Sequence, residues 1–385
     1  MKMTDTTDSL ALYIHWPFCK SKCPYCSFAS IPLDDDSLYE EFERLLLCDL
    51  QKSAPYWNSR RIGSVFFGGG TPSLMRPQSI EKILKLLSPD CSMEITLEAN
   101  PATFDKNKMQ DFKNAGINRL SLGIQSFSQK NLKFLGRIYD ENQSISAAEI
   151  VSSIFENFSF DFMYGYECQT MESLQKDLTL AANNFGCKHI SCYQLTFEEG
   201  TPFYQKLLKG EIKKIDENKE IDLYNFIEDV LASHNIFRYE ISNYAIPKFE
   251  SHHNLSYWKY DDYLGIGPGA HSRILWNGNK YEIIKTADPF LWRTKLENNE
   301  SEEMNILGEE EKLQEIILMG LRLVDGIVLE DLYAKISSTI VDEIISQHKL
   351  NFLREQNLIK NLADRIQLTR SGFLKINSIV SFLLD

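Results

Sequence analysis

The sequence predicts an α/β protein: a partial (β/α)6 barrel followed by a smaller, mainly helical C-terminal domain. Three observations carry this. Six short apolar runs, at 12–14, 64–67, 94–98, 119–123, 160–163 and 189–195, have strand composition. Helix-length stretches at 37–52, 78–87, 105–114, 143–155 and 171–183 separate them. Strands alternating with helices of this length fold as βαβ units around a parallel sheet. After about residue 309 the strand-like runs give way to helical ones.

In parallel α/β architectures ligands gather at the C-terminal ends of the strands. The chemistry-bearing motifs fall there. Behind the first strand comes Cys19-Lys20-Ser21-Lys22-Cys23-Pro24-Tyr25-Cys26, three thiols spaced C-x3-C-x2-C. Three cysteines on one loop suit a soft metal centre, and thiolate is the ligand that iron-sulfur clusters and zinc prefer. A [4Fe-4S] cluster held by three cysteines keeps one iron open for a small molecule. Structural zinc, the competing reading, wants a fourth Cys or His at ligand spacing. None follows, because Ser27, Phe28, Ala29 and Ser30 cannot serve and the next cysteine is Cys48. Cys48, Cys91, Cys168, Cys187 and Cys192 read as small apolar residues.

Behind the second strand lies Gly68-Gly69-Gly70-Thr71-Pro72, and Glu98-Ala99-Asn100-Pro101 closes the third. Consecutive glycines permit close backbone approach to a ligand and also suit a tight strand-to-helix turn. The residues alone leave both readings open. Glu98, Gln125 and Asp161 place polar groups at strand ends or within apolar runs. A buried polar group without a partner costs about 1–3 kcal/mol, so each needs a ligand or a structural hydrogen bond. Arg137 suits a carboxylate through its two-point fork; singly it reads as a surface arginine.

A second distinctive region is Ser251-His252-His253-Asn254-Leu255-Ser256-Tyr257-Trp258, with the glycine-rich tract 265–272 beyond it. Histidines beside Tyr257 and Trp258 suit an imidazole iron ligand against a flat aromatic wall. On spacing alone, a packed aromatic segment with hydrogen-bonded histidines is favoured.

The cysteine loop resembles the cluster motif of the radical S-adenosylmethionine (SAM) enzymes. The wording around it, Tyr13-Ile14-His15-Trp16-Pro17-Phe18-Cys19 through Cys26-Ser27-Phe28, is similar to oxygen-independent coproporphyrinogen oxidases and their HemW-type haem chaperone relatives. The resemblance spans nearly the whole chain and implies the partial barrel independently. It implies a cluster on Cys19, Cys23 and Cys26, whose open iron chelates SAM and whose electron cleaves it to a 5'-deoxyadenosyl radical. SAM contacts would fall on Tyr13, Tyr25, Gly69, Gly70, Thr71, Glu98, Gln125, Arg137 and Asp161. His253-Asn254-x-x-Tyr257-Trp258 looks like the HNxxYW signature associated with haem binding, which reverses the preference drawn from spacing. The implied partners are a haem-acceptor protein and an electron donor. Relatives carry a Leu-Pro-x-Gln-Thr-like run where this chain has Tyr166-Glu167-Cys168-Gln169-Thr170, so the turn geometry is in doubt.

The resemblance separates two activities. The true oxidases place a cysteine two residues beyond the third cluster cysteine, and here that residue is Phe28; they also have a longer N-terminal arm. Both differences favour the haem chaperone over coproporphyrinogen III oxidase. A zinc-stabilised, non-enzymatic interaction protein is the alternative of another class.

The bounds are consistent with a soluble cytoplasmic protein. The chain has 385 residues, 43% hydrophobic and 25% charged, with net charge -13. Such a balance disfavours nucleic acid as partner. Residues 1–9 lack the basic start and apolar middle of a signal peptide. No apolar run approaches the roughly 20 residues needed to span a bilayer, which leaves peripheral membrane contact open. Eight cysteines in a chain this size do not read as a secreted disulfide framework. Three parts are expected: 1–235 the barrel, 236–300 a connecting segment carrying the HNxxYW run, and 301–385 a winged-helix-like domain. That last part expects helices at 310–323, 329–334 and 341–355, a hairpin at 358–369 and a closing helix at 372–384. It holds 9 basic and 14 acidic residues, so DNA binding is disfavoured and a cover for the barrel mouth or a protein-docking module is expected.

Overall fold

A computed structural model describes residues 9–90 and 92–384. The N-terminal residues 1–8 and Cys91 lie outside them.

All six expected strands form, the first five longer than their apolar centres and the sixth one residue shorter: β1 Ser9–Trp16, β2 Arg61–Gly69, β3 Glu94–Ala99, β4 Arg119–Gln125, β5 Asn157–Tyr164 and β6 His189–Gln194. They pair in parallel in the order of the chain. The intervening helices are α1 Asp36–Lys52, α2 Pro77–Leu87, α3 Lys106–Ala115, α4 Glu141–Ile154 and α5 Met171–Thr179. Local chemistry sets most of their starts: Asp35, Asp105, Asp140 and Thr170 accept backbone N–H bonds as N-caps. Each parallel crossover buries one apolar helix face on the sheet, giving one continuous core that includes Trp16, Phe42, Phe67, Phe112 and Phe160.

Residues 236–300 do more than connect. They supply β7 Phe237–Arg238, β8 Asn243–Ala245, β9 Tyr263–Ile266, β10 His271–Trp276 and β11 Asn279–Lys285, and β12 Glu302–Ile306 follows. All twelve strands join one sheet in the order β12-β11-β10-β9-β1-β2-β3-β4-β5-β6-β8-β7. β9 runs parallel along the far side of β1, so the first strand lies between two partners. These short strands carry too little apolar alternation to be read from sequence, and their pairing is long-range. Helix α6 Glu217–Ala232 precedes them, and α7 His252–Trp258 carries the HNxxYW run.

The C-terminal part has its own core of Leu313, Ile317, Leu332, Leu350, Phe373 and Leu383. It begins with α8 Glu309–Gly320. The single helix expected at 341–355 is two, Ser338–Ile344 and Gln347–Glu355, because the Ser346 side chain caps the second one. Instead of an isolated hairpin, Arg365–Ile366 pairs with Ile327–Val328, while residues 359 and 368 make one bridge. Ion pairs dock this part on the barrel: Arg273 with Glu315, and Arg370 with Asp229 of α6. None of the residues lining the cysteine cleft comes from it. Among the described residues no helix is long and apolar enough to cross a membrane.

Candidate functional site

The cysteine loop is folded back on itself and on the barrel rim. Cys26 N–H donates to the Cys23 carbonyl at 3.0 Å, and Leu33 N–H to that of Cys19 at 2.9 Å. His15 anchors the loop from below, its Nε2 bonded to the Ala29 carbonyl at 2.8 Å and its Nδ1 to Tyr13 Oη at 3.0 Å. Burial lowers the His15 pKa, so a neutral ring makes these contacts. Cys19 is buried, and Cys23 and Cys26 are half-buried. Desolvation raises the Cys19 pKa first, and the nearby Cys26 and Cys23 raise it further. The three thiols are thus close enough to feel one another's charge. No group of three His, Cys, Asp or Glu side chains among the described residues is gathered to hold a single ion. A four-iron cluster takes its cysteines on separate irons and so needs them around a cube.

The glycine turn resolves residue by residue. Gly70 packs against the backbone of the cysteine loop: a Cβ there would sit 2.4 Å from the Phe18 carbonyl oxygen. Its N–H donates to Trp16 O at 2.7 Å, and Thr71 N–H to Phe18 O at 2.8 Å. The missing side chain at Gly70 therefore serves the tight fit between the first two strand ends. Gly69 has φ +112 and gives its N–H to Glu98 Oε2 at 3.1 Å.

Across the cleft stands Arg137. Its Nη1 lies 2.7 Å from Cys23 Sγ and 3.1 Å from Tyr25 Oη, and its guanidinium packs over the Tyr139 ring at 4.9 Å. Its Nε is buried without a partner. Cys23, Thr71, Asn100, Thr103, Lys20 and Arg137 line this cleft, whose free volume of about 10 Å³ has room for roughly one water. Asn100, Thr103 and Tyr139 were not singled out from sequence. Their signal was positional: the first two follow the Glu98 strand end, and Tyr139 sits two residues beyond Arg137.

Farther into the barrel lie the buried carboxyl groups of Glu98 and Asp161, near enough for the charge of Asp161 to act on Glu98. Desolvation, then the Asp161 charge, pushes the Glu98 carboxyl up to about 8. Burial likewise raises Asp161, against bonds from Ser191 and Ser121, the latter at 2.8 Å. Asp161 Oδ1 is buried with no partner. Gln125 ends β4 in a left-handed conformation, φ +63. Such a φ is costly for a side-chain-bearing residue and collects at functional positions.

Deeper still, α7 turns His253 inward. The ring is 1% exposed, with Nδ1 2.9 Å from Ser64 Oγ and Nε2 2.9 Å from Tyr257 Oη. It stacks on Phe66, centroids 4.9 Å apart, and the His253 backbone N–H donates to Glu94 Oε1 at 3.1 Å. Burial drives its pKa down to about 3, so the imidazole is neutral and both nitrogens are engaged. His252 is exposed. The structure therefore separates the two adjacent histidines, and it brings His253 and Tyr257 together while Asn254 and Trp258 lie on another face. Cys168 is half-buried near Asn131, away from the three loop cysteines. The atypical turn it occupies is held by Gln169, which takes the Gly165 N–H and donates to the Met163 carbonyl and Tyr166 Oη.

A cysteine loop, glycine turn and strand-end carboxylates on a partial barrel define a radical SAM protein. Residues 13–181 match the radical SAM superfamily, and residues 307–374 match the HemN C-terminal domain. Over 98% of this chain and 98% of its own length, heme chaperone HemW of Buchnera aphidicola is 33% identical. Heme chaperone HemW of Escherichia coli is also 33% identical, over 97% and 98%. A mitochondrial radical S-adenosyl methionine domain-containing protein 1 from Dictyostelium discoideum is 34% identical over 97% and 94%. Among solved structures, coproporphyrinogen III oxidase (HemN) from Escherichia coli superposes with TM-score 0.81 at 20% identity, covering 98% of this chain and 90% of that one. The chain belongs to the HemW family of the radical SAM superfamily.

Proposed function

We propose that this protein is a haem carrier that holds a [4Fe-4S] cluster and SAM, and hands haem to an acceptor protein. The observation that carries this is full-length similarity to proteins named heme chaperone HemW, with the His253-Asn254-x-x-Tyr257-Trp258 run intact on α7. Cys19, Cys23 and Cys26 would hold the cluster, which, when bound and reduced by an electron-donor protein, supplies one electron to SAM. The donor set fits. The Arg137 guanidinium already stands against Cys23 where a cation meets a sulfur, and its unpartnered Nε suits the SAM carboxylate.

The remaining residues orient and shield. Gly69, Gly70 and Thr71 shape the floor for the methionine end. Glu98, protonated at neutral pH by its raised pKa, donates as well as accepts a hydrogen bond, and Asp161 offers its open oxygen. Gln125, Tyr13 and Tyr25 would meet SAM beyond the present cleft, whose lining does not include them. Entry requires Arg137 to swing from Cys23, since the cleft as it stands holds about one water.

His253, Asn254, Tyr257 and Trp258 form the haem segment. With both nitrogens engaged, His253 anchors the segment to β2 and β3, which leaves His252 as the imidazole free to reach iron. Phe28, the residue at the extra-cysteine position of the oxidases, is 64% exposed. The test is anaerobic reconstitution followed by iron analysis and titration with SAM and haemin. About four irons per chain and saturable binding of both ligands are expected. Zinc in place of iron, or conversion of coproporphyrinogen to protoporphyrinogen with SAM and a reductant, would overturn the proposal.

A further inference from the structure

One side of α7 is committed: His253 and Tyr257 are bound to the barrel wall. Another side carries Trp258, and over its ring, 6.0 Å from the centroid, reaches the guanidinium of Arg322, two residues beyond the end of α8. Its side chain donates to the Leu318 carbonyl of its own helix. Several arginines of this chain have carboxylate partners, although Arg137 and Arg354 pair with other groups. Arg273 takes Glu282 and Glu315, Arg370 takes Glu228 and Asp229, and Arg76 takes Glu40 and Glu43. Among the described residues Arg322 has none within 4.0 Å, and the one charge acting on it is the more distant Glu240.

In a chain with net charge -13 carboxylates are plentiful, yet this half-buried guanidinium has none at ion-pair distance. The Leu318 carbonyl and the Trp258 ring offset its desolvation in part, and an anion would complete the compensation. The Trp258 Nε1, beneath the guanidinium, is buried with no acceptor. The guanidinium, one of whose N–H groups is spent on the Leu318 carbonyl, keeps others over the Trp258 ring. Leu318, one turn earlier on α8, is exposed beside them. A flat apolar ring with carboxylates along one edge matches all three features.

We propose that Arg322 receives a carboxylate side chain of the porphyrin cargo, whose ring lies against Trp258. This rests on the haem-carrier reading. Arginine pairs with a carboxylate through two parallel hydrogen bonds, so the contact selects a free acid over its ester and fixes which porphyrin edge enters.

The experiment titrates haemin and haemin dimethyl ester, separately, into the full-length reconstituted protein and follows the Soret band. In wild type, haemin binds more tightly than the ester. Arg322→Gln weakens haemin about tenfold or more, as expected for a lost charge-assisted bond, and leaves the ester unchanged; Arg322→Lys falls between. Ester binding reports that the variant is folded. Unchanged haemin affinity in Arg322→Gln, or equal loss of haemin and ester, overturns the assignment. A wild-type protein that binds neither porphyrin overturns the carrier reading itself, a result distinct from a loss confined to the variant.

Discussion

Two levels of the barrel interior use similar residues to opposite ends. Near the cysteine loop, Arg137 Nε and Asp161 Oδ1 are buried with no partner, and the charge of Asp161 acts on the buried Glu98 carboxyl. One layer deeper, Glu94 accepts from Ser251 Oγ at 3.3 Å and from His253 N–H at 3.1 Å, and it lies 3.8 Å from Arg119. His253 has both ring nitrogens bonded. Since buried polar atoms are nearly always paired, unanswered groups mark where a ligand completes the structure, and answered ones mark where the fold completes itself. The deeper layer is not perfectly closed, for His189 Nδ1 and Thr96 Oγ1 are also unpartnered.

The hardest blow to the upper level is chemical. Replacing Cys19, Cys23 and Cys26 by alanine abolishes the visible absorption of the reconstituted cluster, while the far-ultraviolet dichroism of the fold persists. An intact spectrum would place the cluster elsewhere. In the lower level, His253→Ala leaves Ser64 and Tyr257 unpaired around a void, and unfolding by urea should show a loss of about 2–5 kcal/mol. His253→Gln, which keeps polar atoms at both ends, should lose clearly less. Equal stability of all three forms would show the layer to be slack.

Glu98→Gln probes the open level. Because glutamine also accepts and donates, SAM binding measured by equilibrium dialysis should change by less than about threefold, whereas Glu98→Leu, which does neither, should weaken it about tenfold. The same pair of residues gives opposite pH dependences in the cofactor-free protein. Glu98 has a folded pKa raised to about 8 against 4.5. Its contribution is complete below about pH 4.5 and is lost as pH rises toward 8. His253 has a folded pKa lowered to about 3 against 6.5, so its contribution is complete above pH 6.5 and is lost as pH falls toward 3. Urea midpoints measured across pH should flatten on the alkaline side in Glu98→Gln and on the acid side in His253→Gln. The reverse pattern would exchange the roles assigned to the two levels.

Much of the upper level was legible because its signals are local. Cys19, Cys23 and Cys26 share one loop, the glycines follow one strand, and six apolar runs set the parallel core. Glu98, Gln125 and Asp161 were visible as polar interruptions, though the left-handed turn at Gln125 was not, since glutamine gives no warning of a positive φ. The lower level was illegible because its partners are far apart in sequence: Ser64 meets His253, and Glu94 meets both Ser251 and Arg119. For the same reason the segment 236–300 did not reveal its strands. The adjacent histidines show the limit most plainly, since one helical step of about 100° puts His253 inside and His252 outside.

The placement of β1 between β2 and β9 sets a timetable for biogenesis. Gly267, whose N–H donates to Asp49 Oδ2 at 2.9 Å and whose Cβ position would meet the His15 carbonyl at 2.6 Å, closes the flank of the first strand. During translation the cysteine loop emerges early but its rear wall arrives only when two thirds of the polypeptide has been made, on the order of ten seconds or more later. Throughout that interval three thiols ride on a nascent chain without a finished pocket, so a cluster held by them would gain its rear wall only once residues 263–266 have paired with the first strand.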